Sequence, residues 1–323
     1  MLGMGFDAVL KKSSALLAAM LMMAGAWSLM HLPGAGLQMV VFAFLASAAL
    51  CNTADFARRV RDCVRMVCGA AAAQFLFGIT ADFPLVRIIL VALFSFFILS
   101  EMPDRQMAVI VLLIGFLTLF SPPGVTAALN RSMDLVVSGG VVLLVTTLSN
   151  AFRRDAAETP ADEPYTIRQA AVVTAELTAG FIISQLLKHE QMAWIMLTIL
   201  FIHMAENPQS SLAGLVKQRV AATPLGILAG GLYLACFGST NYRMIYIVPL
   251  SGTLSFFMLY LKNDYFIYTF LFIFTLTLFS DWMLGSGSRF HFADIMLARS
   301  IAAAIGGVLL LCGRNFIRKE AVT

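Results

Sequence analysis

Charge is what this sequence has least of. Only 12% of its 323 residues are Asp, Glu, Lys or Arg, where soluble domains carry roughly a quarter. A water-soluble chain of this length needs polar residues to cover its surface, so that scarcity excludes an ordinary soluble domain. Cysteine is sparse as well. Cys51, Cys63, Cys68, Cys236 and Cys312 fall in or beside apolar runs without metal-type spacing, so neither a structural disulfide nor a metal is expected. There is no Gly-x-x-x-x-Gly-Lys-Ser/Thr element and no polar segment large enough for a nucleotide-binding domain, which argues against ATP hydrolysis by this chain. His-Glu-x-x-His and Gly-x-Ser-x-Gly patterns are lacking too, so no enzyme and no cofactor are expected.

What fills the chain instead is apolar: 60% of its residues are hydrophobic. A helix in lipid satisfies its backbone internally and can be apolar all round, so the expected fold is all-α and polytopic, with membrane lipid as its solvent. Runs of crossing length start near residues 14, 36, 66, 85, 106 and 133, and again near 169, 191, 219, 243, 264 and 294. Ten to twelve spans fit these runs, and twelve is the reading adopted. The first run, with Lys11 and Lys12 before it and Ala24-Gly25-Ala26 after it, mimics a cleavable leader; further spans follow, so it is read as the first span.

The net charge of +4 comes from basic residues scattered over short connections, which fits membrane topology better than nucleic-acid binding. A cytoplasmic N-terminus puts 16 of the 22 Lys and Arg on the cytoplasmic side, and both termini with them.

One polar, Pro-containing segment, residues 151–167, divides the chain into an N-terminal six-span half (1–150) and a C-terminal six-span half (168–323). The halves read as repeats. Leu117-Thr118-Leu119-Phe120-Ser121 recurs as Leu276 to Ser280, Ser95-Phe96-Phe97 as Ser255-Phe256-Phe257, and Arg65 matches Arg219, at offsets of 159, 160 and 154. An even span count per half gives parallel repeats related by an axis along the membrane normal, where transporters commonly bind.

Arg219 is followed seven residues later by Gly226, Arg299 by Gly306, and Arg131 more loosely by Ser138-Gly139-Gly140. Seven residues is about two helical turns, so Arg and Gly share a face, with Thr223 between them in the first case. Such a face packs helices closely while its Arg reaches the headgroups; alternatively it meets a substrate.

The stretch from Ala193 to Gly230, with Trp194, Asn207-Pro208-Gln209 and Arg219-Val220-Ala221-Ala222-Thr223-Pro224-Leu225-Gly226, resembles the fusaric acid resistance and aromatic acid exporter family of bacterial inner-membrane proteins. That family carries an Arg-x-x-Gly-Thr-x-x-Gly motif at a comparable span, and Arg299 to Gly306 looks like its second Arg-to-Gly element. Two departures stand out. Ala222 replaces the first Gly, and the large soluble region between the halves is reduced to the 151–167 linker. The resemblance implies an inner-membrane exporter of small aromatic or amphipathic carboxylic acids, working with a periplasmic membrane-fusion adaptor.

Glu176 is the sharpest single residue. It lies about ten ångströms along its span at ~1.5 Å per residue, where an ionised carboxylate costs at least about 2.5 to 3.5 kcal/mol. Gln169, Glu176, Gly180 and Ser184 form one polar and small stripe facing protein or water. The carboxylate there either carries a proton or meets a substrate cation, or it bonds to a neighbouring helix. His203 and Glu206, one turn apart, form a second titrating pair. Asp281, Asp134 and Asp294 are read as hydrated charges near the extracytoplasmic interface, and the aromatic stretch from Tyr242 to Trp282 as lipid-facing surface and interfacial belt rather than a stacking path. The first reading is a proton-motive-force-driven exporter of organic acids; behind it stand a passive anion channel, a non-transporting scaffold for an adaptor and, last, a multispan membrane enzyme. Homo-oligomerisation is compatible with each.

Overall fold

The computed structural model describes residues 37–50, 53, 55–117, 124–152, 163–187, 194–206, 211–237, 241–260, 264–284 and 292–320, together with residues 20, 24 and 25. The expected first span, most of the linker, Asn207-Pro208-Gln209 and the tail of the Leu117 repeat lie outside the described residues. Within them the chain is all-helical. The eleven helices are α1 (Leu37–Leu50), α2 (Phe56–Ile79), α3 (Pro84–Glu101), α4 (Arg105–Leu117), α5 (Val125–Phe152), α6 (Ile167–Leu187), α7 (Trp194–Ala205), α8 (Leu212–Phe237), α9 (Asn241–Tyr260), α10 (Tyr265–Leu284) and α11 (Phe292–Glu320). Among the described residues, α2, α3, α5, α6, α8 and α11 contain stretches long and apolar enough to cross a membrane. The protein is a multi-pass membrane protein.

Several helices begin earlier than hydropathy alone places them, because capping side chains set the first turn. Asp55 accepts hydrogen bonds from the Ala57 and Arg58 amides at 3.0 and 3.3 Å and starts α2 well before the apolar run near 66. Thr166 and Gln169 cap α6 reciprocally: the Gln169 amide donates to Thr166 Oγ1 at 3.3 Å and the Thr166 amide to Gln169 Oε1 at 3.1 Å. Ser211 caps α8 through the Gly214 amide at 3.0 Å, and Asp264 caps α10 through the Phe266 amide at 2.9 Å. Pro84 opens α3, where its missing N–H is no loss.

Contacts divide the chain into two compact units, residues 1–79 with 106–163, and residues 80–105 with 164–323. In the first unit α5 packs on α1 and α2. Gly139 meets Val67 and Gly78 meets Ala128, so small residues bring the α2 and α5 backbones together. α4 is buried along its length from Met107 to Phe116 and is tied to α2 by Gln74 Nε2, which donates to the Ile114 carbonyl at 2.8 Å.

The second unit is built around α7. Every residue from Ile195 to Ile202 is buried, enclosed by α6, α8 and α11. At ~1.5 Å per residue α7 is about 18 Å long, too short to cross a bilayer alone. Outside this core α3 packs on α6, and α10 packs on both α8 and α9. The α8/α10 seam is close: a Cβ at Gly226 would stand 2.8 Å from the Phe270 carbonyl oxygen, and one at Gly230 would stand 2.9 Å from Thr277.

Candidate functional site

α6 and α7 run as a hairpin, so residues about equally far from their connection face one another. This brings together groups the sequence keeps apart. Glu176, buried at 6% exposure, accepts from or donates to His203, with Oε2 and Nε2 3.0 Å apart. The other ring nitrogen, Nδ1, is 3.4 Å from Glu206 Oε2 as an ion-pair contact without hydrogen-bond alignment. The two titrating features expected separately are therefore one chain, Glu176 to His203 to Glu206. It runs from a buried carboxylate to one whose side chain is 34% exposed.

The surroundings of this chain are specific. Tyr165 stands edge-on to the His203 ring at 6.4 Å between centroids, and the Arg105 guanidinium lies 4.9 Å over the Tyr165 ring while donating to Gln169 Oε1 at 3.0 Å. Glu206, at the end of α7, is held below the usual carboxylate range by His203, with Arg314 and Arg105 adding to that effect against partial burial. On α11, Gly313 leaves the space that Glu176 fills: a Cβ there would collide with Glu176 Oε1.

The Arg-to-Gly elements divide in role. Arg219 is enclosed by protein. It lies two turns inside α8 at 1% exposure, with its guanidinium carbon 4.8 Å from the centroid of the Phe201 ring. Thr223 is spent locally, donating to the Arg219 carbonyl at 2.8 Å, and Gly226 serves the α10 seam. Arg299, 7% exposed, lies 4.4 Å over the Trp194 ring, and Gly306 meets the Ile195 carbonyl, so both ends of the second element face α7. Arg131, in the other unit, is half-buried, its Nη2 3.2 Å from a Cβ built at Gly78.

Asp281 falls within α10 and Asp294 within α11, but their side chains lie outside the described residues; Asp134 is half-buried in α5. The aromatic stretch is not uniformly lipid-facing as expected. Tyr246 is exposed, whereas Tyr268 is buried at 1% and stacks on Phe272 at 5.9 Å, next to Tyr265 at 5.8 Å. Tyr265 and Tyr268 are electrostatic neighbours of Arg219. The three-residue spacing of these tyrosines is the sequence signal that both share one helix face.

Buried ionic side chains inside a bundle of apolar helices define a polytopic helical membrane protein whose interior is polar at chosen points. Residues 178–313 match the model of the family described as fusaric acid resistance protein-like, the family that the Arg219 to Gly226 and Arg299 to Gly306 elements resemble. The matched segment holds both elements, His203, Glu206 and the inward tyrosines, and begins just after Glu176. No curated protein and no solved structure matches the chain.

Proposed function

We propose that this protein is a non-enzymatic membrane transporter of the bacterial inner membrane, exporting small aromatic or amphipathic carboxylic acids at the expense of the proton gradient. The observation that supports it best is the Glu176–His203–Glu206 chain. An imidazole between two carboxylates takes a proton at one nitrogen and releases one at the other, so it connects a buried site to a wetter one. A purely structural bond between helices needs neither the second carboxylate nor a titrating ring.

The family match to residues 178–313 supports the transport class, and the resemblance supplies the organic acid. In this reading the chain has twelve spans as two parallel six-span repeats, with both termini cytoplasmic and a periplasmic adaptor continuing the path outward.

The test is acid flux in inside-out vesicles. Wild-type protein accumulates benzoate when an imposed pH gradient is present, and Glu176→Gln, which keeps the size but not the charge, reduces that coupled flux to the level of vesicles lacking the protein. Unchanged coupling in the variant would overturn the carboxylate role. Flux of equal size without any pH gradient would favour the channel, and partner binding without flux the scaffold.

A further inference from the structure

Arg219 presents a problem the proton chain does not solve. Its Nε and Nη1 are buried without a hydrogen-bond partner, and among the described residues no carboxylate pairs with it. The Phe201 ring compensates the charge in part, as a cation over a π-face, but offers no acceptor for the N–H groups. Burial of a guanidinium in a membrane helix bundle is expensive, and such groups find partners as a rule.

Around it the same deficit recurs. The Tyr265 and Tyr268 hydroxyls and Thr269 Oγ1 are buried without an aligned hydrogen bond. Tyr265 lies within hydrogen-bonding reach of both Arg219 and Thr269, so its oxygen takes up part of the guanidinium's donor capacity, and Tyr268 is near Arg219 as well. Three elements contribute: α7 the Phe201 ring, α8 the cation, and α10 the hydroxyls. The guanidinium is donor-only, and each hydroxyl has a proton to give. The hydroxyl oxygens can accept from the guanidinium, but they carry no charge, so a buried cation with no negative group among its neighbours is matched by an acceptor of single negative charge.

We infer that Arg219, Tyr265, Tyr268 and Thr269 form a binding site for a small monoanion, the carboxylate head of an organic acid, held by the guanidinium and the hydroxyls beside the Phe201 ring. A guanidinium matches a carboxylate in plane and in charge, and bonds to it are charge-assisted. A halide presents the same single charge to the same donors. The inference rests on the transport reading for the organic part of the anion; the donor set itself is independent of it. Glu176 and His203 are on other partners, so proton and anion have separate seats in the same unit.

Purified full-length protein in detergent, in a chloride-free sulfate buffer, is titrated with sodium benzoate and separately with sodium chloride by calorimetry, at fixed pH and without any gradient. Saturable benzoate binding is expected. Tyr268→Phe, which removes one hydroxyl and keeps the ring, and Arg219→Gln should each weaken it by about tenfold or more, as loss of a charge-assisted bond does. Tyr233→Phe, on α8 and outside the donor set, should leave it unchanged. Where Arg219→Gln does not fold, Tyr268→Phe decides.

Chloride binding with the same variant dependence, and none of benzoate, supports the monoanion site and identifies its source as a halide. Absence of saturable binding by either anion overturns the inference, with water then satisfying the donors; so does binding that both variants leave intact. Benzoate binding that depends on Arg219 without proton-driven flux defeats the transport reading alone. Proton-driven flux with Arg219-independent binding defeats the site alone.

Discussion

Glu176 has its position because residue 313 lacks a side chain. Any Cβ at Gly313 occupies space the carboxylate already holds, and the atom in the way is the end of a flexible side chain, so the carboxylate rather than the backbone gives way. Gly313→Ala should therefore swing Glu176 off His203 and break the 3.0 Å bond, leaving the fold intact. The expected result is a loss of pH-driven benzoate flux with a thermal unfolding midpoint close to that of wild type; full flux in Gly313→Ala would show that the bond is dispensable. Glu206 yields a second expectation. Its carboxyl is held below its ordinary value in the folded protein, so the ionised form stabilises the fold at pH above about 4.5, its unfolded range. That contribution is lost as pH falls through the lowered folded value. In detergent, wild type should lose midpoint on acidification below about pH 4.5, and Glu206→Gln should lose less over the same interval.

Glycines distinguish the elements by what they touch. Gly226 in α8 has the Phe270 carbonyl oxygen and Ile273 where a Cβ would go, and α10 cannot yield without moving backbone. Gly140 in α5 has nothing within 4 Å. Gly226→Ala should lower stability by about 1 to 3 kcal/mol, as overpacking does, whereas Gly140→Ala should be neutral or stabilising by up to about 1 kcal/mol through helix propensity. Equal midpoints for the two variants would contradict the close α8/α10 seam. The seam also marks how far the sequence could be read. The seven-residue spacing from Arg219 to Gly226 correctly put both on one face, and the apolar runs located most helices. Hydropathy misplaced the helix starts because Asp55 and Ser211 cap turns that lie upstream of the apolar runs. The earlier start puts Arg219 two turns inside α8 rather than at its head. The meeting of Glu176 with His203 was latent in the hairpin geometry of α6 and α7, but needed their common connection as reference. The spacing of Tyr265 and Tyr268 gives them a common face but not the direction in which it turns, and that direction, like the role of Gly313, depends on tertiary packing that no local pattern records.

At the scale of the molecule, the number of crossings turns on helices that are too short. α1, α4 and α7 have 14, 13 and 12 residues, about 18 to 21 Å at ~1.5 Å per residue, against a hydrocarbon core of about 30 Å. α4 is the most informative of them, since it is wholly enclosed from Met107 to Phe116 and the helix after it, α5, is long enough to cross on its own. In the twelve-span reading α4 and the residues after it complete a crossing, so Gly124 emerges on the side opposite Arg105. In that reading 16 of the 22 basic residues fall on the side that holds both termini, as the positive-inside tendency requires, and Arg131, just beyond Gly124, is among the other six. Alkaline phosphatase, which is active only outside the cytoplasm, fused after Gly124 should therefore be active, while the same reporter after Thr323 should be inactive and a fluorescent protein there should fluoresce. An inactive fusion at Gly124 would make α4 a re-entrant element, remove one crossing from the first half, and with it the equal span counts on which two parallel repeats depend.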